Sequence, residues 1–179
     1  MKIWTIQNGA VVETLLRDGF YQPDFSKSSY VAAIPPLESL YRLVLSSFNR
    51  INDCDLPGLV FAMTDAEREI PDGNAFLDFL HFRSPAIGSM TKRLINDNSF
   101  ALELDFAMNF NPLLIDINDF QFLMPPVTMV PPYTEETFER ILDNLQNGKF
   151  EPSVFPSGVI QVHLPYIRKE NVVGIYKLR

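Results

Sequence analysis

Two polar residues near the end of the chain stand two positions apart in a segment that we predict to be a β-strand. Gln161 and His163 lie in GVIQVHLPYI, and side chains at i and i+2 of a strand project from one face. Such a pair can converge on a ligand, although an exposed sheet face shows the same pattern. A zinc site needs three or four His, Cys or carboxylate ligands, and no sequence cluster supplies them. We therefore predict no metal site and keep both residues as candidates for ligand binding.

Glu103 and Asp105 form a second pair with this spacing, in the alternating segment FALELDFAM. Two carboxylates on one face can hold different pKa values and exchange protons with a substrate, or they can bind a cation. A solvated sheet face gives the same pattern, and we prefer that interpretation.

The amino-terminal segment adds polar and aromatic candidates. Thr5 and Gln7 lie on one face of a predicted first strand, and the turn GFYQPDF follows the first predicted helix. Aromatic side chains in a turn either line a pocket or close the end of a core. The sequence leaves both interpretations of Phe20 and Tyr21 open, so we keep these four residues as candidates for ligand binding.

Common catalytic motifs are missing from the sequence. There is no P-loop, no dinucleotide-binding glycine fingerprint and no nucleophile elbow, and the eight glycines form no phosphate cradle. The single cysteine, Cys54, lies between two aspartates, whose negative charge raises the pKa of its thiol and disfavours the reactive thiolate. We therefore predict no cofactor from the residues themselves.

Composition limits the class of partner and of compartment. The formal net charge is −7 and the 15 Lys and Arg residues do not cluster, which argues against nucleic acid and against an anionic membrane surface. No apolar run approaches the ~18 residues of a membrane span. The first residues lack the apolar stretch of a signal peptide, so we expect a cytoplasmic protein.

Hydrophobic spacing predicts a single α+β domain over residues 1–179. Strict β-α-β alternation is missing, so a mixed, mostly antiparallel central sheet with flanking helices fits best. We expect the segment NAFLDFLHF to form a helix or an amphipathic patch, SMTKRLI a short helix and DAEREIPDG a solvated loop, and LLIDI to pair in antiparallel fashion. The predicted strands cover 2–7, 59–64, 100–108 and two closing segments around a turn at 168–171, and the predicted helices cover 8–19, 35–51 and 134–148.

The segment LMPPVTMVPPY contains two proline pairs. Proline lacks a backbone donor, so this segment is neither a helix interior nor a central strand, and we predict an extended crossing. Its Met, Val and Pro side chains could dock on another copy, so Met124–Tyr133 is our candidate for self-association.

The order of motifs along almost the whole chain resembles an uncharacterised bacterial domain family. The residues that carry the resemblance are the opening WTIQ, the helix ending in LLRDG, the strand PGLVFAM, the segment FALELDFAMNFNPLLIDINDF and the closing GVIQVHLPYIRKENVVGIYKL. Members of that family begin Tyr/Trp-Thr-Ile-Gln. PGLVFAM departs from the family by lacking its tryptophans, and the family implies an architecture but no activity.

The opening IWTIQNGAVVETLLRDGFYQP is also similar to ADP-ribosyltransferase-like domains, which begin with a strand, a helix ending in glycine and an aromatic turn. That resemblance implies NAD as a ligand and adds Tyr30 as a candidate, because such domains place an aromatic soon after the turn. Thr5 stands where the NAD-contacting His would be. Gln161 is the nearest polar residue to the place of a catalytic acid, and an amide stabilises an oxocarbenium-like centre less well than a carboxylate.

Two functions follow as expectations. The first is a non-catalytic binding or interaction module for a protein or a small ligand. The alternative is an ADP-ribosyltransferase-like enzyme, or an NAD- or nucleotide-binding protein, with a diverged active site. The alternative requires that Thr5, Gln7, Tyr30 and Gln161 approach one cleft.

Overall fold

A six-stranded sheet runs through the computed structural model, which describes residues 2–64 and 69–179, apart from the side chains of Ser29 and Tyr30. The strands are β1 (Lys2–Asn8), β2 (Phe20–Tyr21), β3 (Val60–Thr64), β4 (Ser99–Asp105), β5 (Leu114–Asp116), β6 (Ile160–Leu164), β7 (Ile167–Arg168) and β8 (Val172–Lys177). The helices are α1 (Gly9–Asp18), α2 (Ser29–Ala33), α3 (Leu37–Asn52), α4 (Gly73–Arg83), α5 (Pro85–Leu94), α6 (Ile117–Leu123) and α7 (Glu135–Asn147).

The strand order of the main sheet is β5-β6-β3-β1-β4-β8, while β2 and β7 form a separate two-stranded ribbon. The predicted α+β class is confirmed. Every pairing within the described main sheet is antiparallel, in agreement with the mostly antiparallel sheet that the sequence predicts.

The central strand β1 is fully paired on one side and mostly unpaired on the other. It pairs with β4 along its whole length, from Lys2 opposite Asp105 to Asn8 opposite Ser99. With β3 it pairs only through two residues, Ile3 and Trp4. From Thr5 onwards β1 and β3 therefore separate, and the sheet opens into a split.

The turn from β1 into α1 follows the capping chemistry that the sequence predicts. The Asn8 side chain accepts a hydrogen bond from the backbone nitrogen of Val11 and so satisfies one free donor of the first helical turn. Gly19 ends the helix with φ of 73°, a left-handed conformation that glycine adopts without steric cost. This unit fixes the direction in which the polar end of β1 points.

Both faces of the sheet carry apolar side chains. Ile3 packs with α1 residues Val12 and Leu15 on one face. On the other face Trp4 packs against α4, where its ring stacks on Phe76 with centroids 5.3 Å apart and an interplanar angle of 11°. Helix α4 in turn packs on α5, so the sheet positions both helices.

The segment LLIDI forms β5 over Leu114–Asp116 and pairs in antiparallel fashion, as predicted, with β6 at the far edge of the sheet. One local prediction needs correction. Glu103 is buried, not solvated, because it bonds the Tyr176 hydroxyl and the Lys2 ammonium across neighbouring strands. Part of the predicted loop DAEREIPDG, residues 65–68, lies outside the described residues.

The proline-rich segment before α7 forms neither helix nor strand after Leu123, as predicted. Val127, Met129 and Val130 are exposed there, whereas Tyr133 is buried and stacks on Phe122. Among the residues that the structure describes, no helix is both long enough and apolar enough to cross a membrane.

Candidate functional site

A cavity of about 380 Å³ occupies the split between β1 and β3. This volume lies within the usual range for small-molecule sites. Its walls come from the polar end of β1, from β3, from one residue each of β4 and β6, from the turn after α1, and from helices α1, α2, α3, α5 and α6. The lining residues include Gln7, Tyr21, Asp24, Lys27, Ala33, Tyr41, Phe61, Phe120 and Gln161, together with Ile6, Ile87, Ile95 and Ile117.

Thr5 holds the two strands together at the apex of the split. It is fully buried, and its hydroxyl donates a 2.7 Å hydrogen bond to the Phe61 carbonyl, which has no ladder partner on β1. The same oxygen accepts a 2.9 Å bond from the amide nitrogen of Gln7. Thr5 therefore positions Gln7, which lines the cavity, whereas Thr5 is not among the lining residues.

Replacing this hydroxyl should weaken the fold at the apex. We expect Thr5→Val to lower the free energy of unfolding by about 1–3 kcal/mol, because the carbonyl of the half-buried Phe61 loses its donor. Thr5→Ser keeps the hydroxyl and should lose clearly less. Urea denaturation of the three proteins measures the difference, and a loss in Thr5→Val no larger than that in Thr5→Ser would contradict a dominant role of the hydroxyl.

The opposite wall contains Gln161, whose side chain is held by His163. Gln161 is 2% exposed and His163 is fully buried. The amide nitrogen of Gln161 lies 2.9 Å from Nε2 of His163, and Nδ1 of His163 lies 3.0 Å from the Leu113 carbonyl oxygen. Burial lowers the pKa of His163 to about 4, so the ring is neutral near pH 7. His163 lies outside the lining residues and acts on the cavity through Gln161.

The aromatic turn after α1 closes the cavity from the side of α3. Phe25 donates its backbone N–H to the Pro57 carbonyl at 2.8 Å, which ties the turn to the loop before β3. A Cβ at Gly58 would lie 2.8 Å from the Phe25 nitrogen and 3.0 Å from backbone atoms of Pro23, so this approach requires glycine. The turn thereby brings Tyr21 to the cavity.

A chain of aromatic rings lines or backs the cavity. Tyr41 lies between Phe25 and Phe61, with ring centroids 4.4 and 5.0 Å away, and Phe61 meets the ring of Phe120 at 5.8 Å. The Tyr41 hydroxyl bonds both the N–H and the C=O of Leu59, which satisfies the backbone where β3 begins. These rings offer flat apolar contact surfaces whose positions are fixed by packing.

The charges at the cavity neutralise each other. Lys27 lies 3.0 Å from Asp24, and hydrogen bonds from Ser26 and Lys27 lower the pKa of the Asp24 carboxyl. Burial raises the pKa of the Tyr21 and Tyr41 hydroxyls, which stay protonated near neutral pH. Asp24 and Lys27 are the only ionic groups among the lining residues that the structure describes, so the cavity carries no unpaired charge.

The structure separates the seven candidates into three groups. Gln7, Tyr21 and Gln161 line one cavity, and Thr5 and His163 contact it through those glutamines. Phe20 is 40% exposed, packs on Tyr166 and is not a lining residue. Tyr30 belongs to α2, but its side chain lies outside the described residues.

Several lining residues were not candidates from the sequence. Tyr41 and Phe120 lie in segments with apolar spacing, and core residues give the same pattern. Asp24 and Lys27 belong to the turn after α1, but their charges alone do not set them apart from other pairs of charged surface residues. The one usable signal was the density of aromatic residues in and after GFYQPDF.

No family model matches this chain, and no curated protein or solved structure matches it. The two resemblances stated from the sequence therefore remain predictions, and the cavity must be interpreted from its own geometry.

Proposed function

We propose that this protein is a binding module for a small, uncharged, planar molecule, held in the cavity between β1 and β3. The observation that carries the proposal is the convergence of Gln7, Tyr21 and Gln161 on a cavity of about 380 Å³. Apolar walls with a few convergent polar groups are typical of small-molecule sites. A nucleoside or an aromatic carboxamide belongs to the class that fits.

The electrostatics of the cavity favour an uncharged ligand over a nucleotide. Binding a pyrophosphate normally draws on several cations or on a helix N-terminus with a glycine-rich turn. Lys27 is the one cation among the described lining residues, and it is already paired with Asp24. A ligand bearing phosphates would therefore gain little charge compensation there.

The polar groups also favour binding over catalysis. Asp24 is the one carboxylate among the described lining residues, and hydrogen bonds from Ser26 and Lys27 lower its pKa, which makes it a weak base. Gln161 can hold a ligand by hydrogen bonds but cannot exchange a proton near neutral pH. The proposal is accordingly a non-catalytic module.

A second candidate is an ADP-ribosyltransferase-like or NAD-binding protein. The observation in its favour is that Gln7 and Gln161 line the same cavity beside the first strand and that Thr5 is hydrogen-bonded to Gln7. We expect purified protein not to turn over NAD. Release of nicotinamide from NAD, abolished by Gln161→Ala, would make this second candidate the better one.

Blocking the cavity mouth tests the main proposal. Ala33 is exposed and lines the cavity, while its neighbour Ala32 is exposed and does not. We expect at least one of adenosine, purine riboside, nicotinamide and 3-acetylpyridine to bind with a Kd between roughly 1 μM and a few mM. Ala33→Trp should weaken that binding at least tenfold, because the indole fills the mouth.

Ala32→Trp is the matched control, since it places the same side chain one residue away on the same helix. It should bind with the wild-type Kd in isothermal titration calorimetry. Absence of binding for all four molecules would contradict the proposal, and so would equal binding by the two tryptophan variants.

We place this binding function in the cytoplasm and retain self-association through Met124–Tyr133 as a proposal. The free, exposed Cys54 suits a reducing compartment. The exposed side chains of Val127, Met129 and Val130 supply apolar surface for a second copy. Light scattering across a concentration series measures the association.

A further inference from the structure

The side chain of Gln161 belongs to a buried residue, yet it uses only one of its four hydrogen-bonding positions. Its one side-chain bond joins the amide nitrogen to Nε2 of His163 at 2.9 Å. The second amide hydrogen and the carbonyl oxygen have no partner among the described residues. The oxygen is not among the fully buried atoms without a partner, and Gln161 lines the cavity, so these positions mark a place where a ligand can supply a partner.

The orientation of this amide follows from the bonds of His163. A carbonyl oxygen only accepts, so the Leu113 oxygen at 3.0 Å requires that Nδ1 of His163 carries the proton. The neutral ring then presents a lone pair at Nε2. Only the amide nitrogen of Gln161 can donate to that lone pair, so its oxygen must point elsewhere.

His163 is itself prevented from turning. Phe61 meets its ring nearly edge-on, with centroids 4.9 Å apart, and Phe120 lies 6.4 Å away. Both phenylalanines also line the cavity. The ring packing thus fixes the imidazole, the imidazole fixes the amide, and the free donor and acceptor of Gln161 face the cavity that it lines.

We infer that Gln161 recognises a planar heteroaromatic ligand through an adjacent hydrogen-bond donor and acceptor, with His163 as the residue that positions its amide. A glutamine amide makes such a bidentate contact with the N6/N7 edge of adenine. A primary carboxamide on an aromatic ring offers the same pair. This inference rests on the proposed function and specifies the edge that the ligand must carry.

Two matched pairs of probes test the inference on the wild-type protein. Adenosine carries the N6 donor that purine riboside lacks, and nicotinamide carries the amide N–H that 3-acetylpyridine lacks. We expect the donor-bearing member of at least one pair to bind at least tenfold more tightly. The pair that shows the preference distinguishes a purine from a carboxamide ligand.

Gln161→Met then removes the amide while keeping the length of the side chain. We expect the preference within the pair to fall to less than threefold, because the donor-bearing member loses both bonds to the amide whereas the other member loses only the bond to its acceptor. Gln146→Leu alters an exposed glutamine on α7 and should keep the wild-type preference. Circular dichroism checks that each variant is folded. If Gln161→Met does not fold, the preference measured on the wild-type protein decides whether the inference stands.

The outcomes separate this inference from the proposed function. If both members of each pair bind equally and Ala33→Trp blocks them, the inference fails while the binding site stands. If the preference survives in folded Gln161→Met, another group reads the edge and the inference fails. If none of the four molecules binds, both proposals are overturned.

Discussion

Trp4→Ala is expected to lower the free energy of unfolding by about 3–5 kcal/mol, the range for removing a large aromatic from a core. Trp4 is fully buried in the middle of the sheet. Its ring stacks on Phe76 at 5.3 Å and meets Tyr176 at 5.6 Å, and such pairs add to the loss of buried area. The alanine variant would leave a cavity between β1 and α4.

Trp4→Phe is the control for this prediction. It keeps an aromatic ring and removes an indole N–H that has no hydrogen-bond partner among the described residues, so its loss should be clearly smaller. Urea denaturation followed by circular dichroism compares the three proteins, because Trp4 is the only tryptophan and its fluorescence is lost in both variants. A loss below about 1 kcal/mol for Trp4→Ala would contradict this packing.

The second large effect is a loss of stability in acid that originates at His163. Burial lowers the pKa of His163 from its usual 6.5 to about 4. Between these values the unfolded chain binds a proton that the folded chain does not. The contribution of neutral His163 to the free energy of unfolding is therefore complete above pH 6.5 and is lost as the pH falls towards 4. Between pH 7 and pH 4.5 we expect a loss of about 2 kcal/mol from this residue.

His163→Gln separates this effect from the titration of carboxylates. A glutamine there can donate to the Leu113 carbonyl and accept from Gln161, as the neutral imidazole does, but it does not titrate. Urea midpoints followed by Trp4 fluorescence at the two pH values should fall more steeply for the wild type than for the variant. An equal fall of the urea midpoint in both proteins would mean that protonation of His163 does not destabilise the folded protein.

The fold was predictable where local chemistry decides it. Asn8, Gly19, Thr134 and Gly148 mark helix ends that the structure places where capping rules put them. The pairing of β5 with β6 was not predictable, because a three-residue strand carries little register information and its partner lies far along the chain. Sheet order depends on such long-range contacts.

The site was predictable only in part. Gln7 and Gln161 are polar residues in predicted strands, with no structural role evident from the sequence, and both line the cavity. The split itself was not visible, because it arises where β1 stops pairing with β3 after Trp4. Tyr41 and Phe61 have the spacing of core residues, so their place in the wall could not be distinguished from ordinary packing.

The cavity explains why polar residues occupy central strands of a buried sheet. Thr5 closes the apex of the split, and Gln161 is held from behind by His163. Leaving a buried hydrogen-bonding network incomplete costs free energy. A ligand that completes the network binds more tightly because the groups that contact it are already in position.

Methyl NMR on protein labelled at the isoleucine δ1 carbons tests the central claim most directly. Ile6, Ile87, Ile95 and Ile117 line the cavity, while Ile51, Ile141 and Ile175 do not. The labelled protein is titrated with adenosine, purine riboside, nicotinamide and 3-acetylpyridine in turn. At least one of these molecules should shift the signals of the lining methyl groups to saturation and leave the signals of the non-lining methyl groups in place. Shifts confined to the non-lining methyl groups, or no shift with any of the four at millimolar concentration, would contradict a ligand site between β1 and β3.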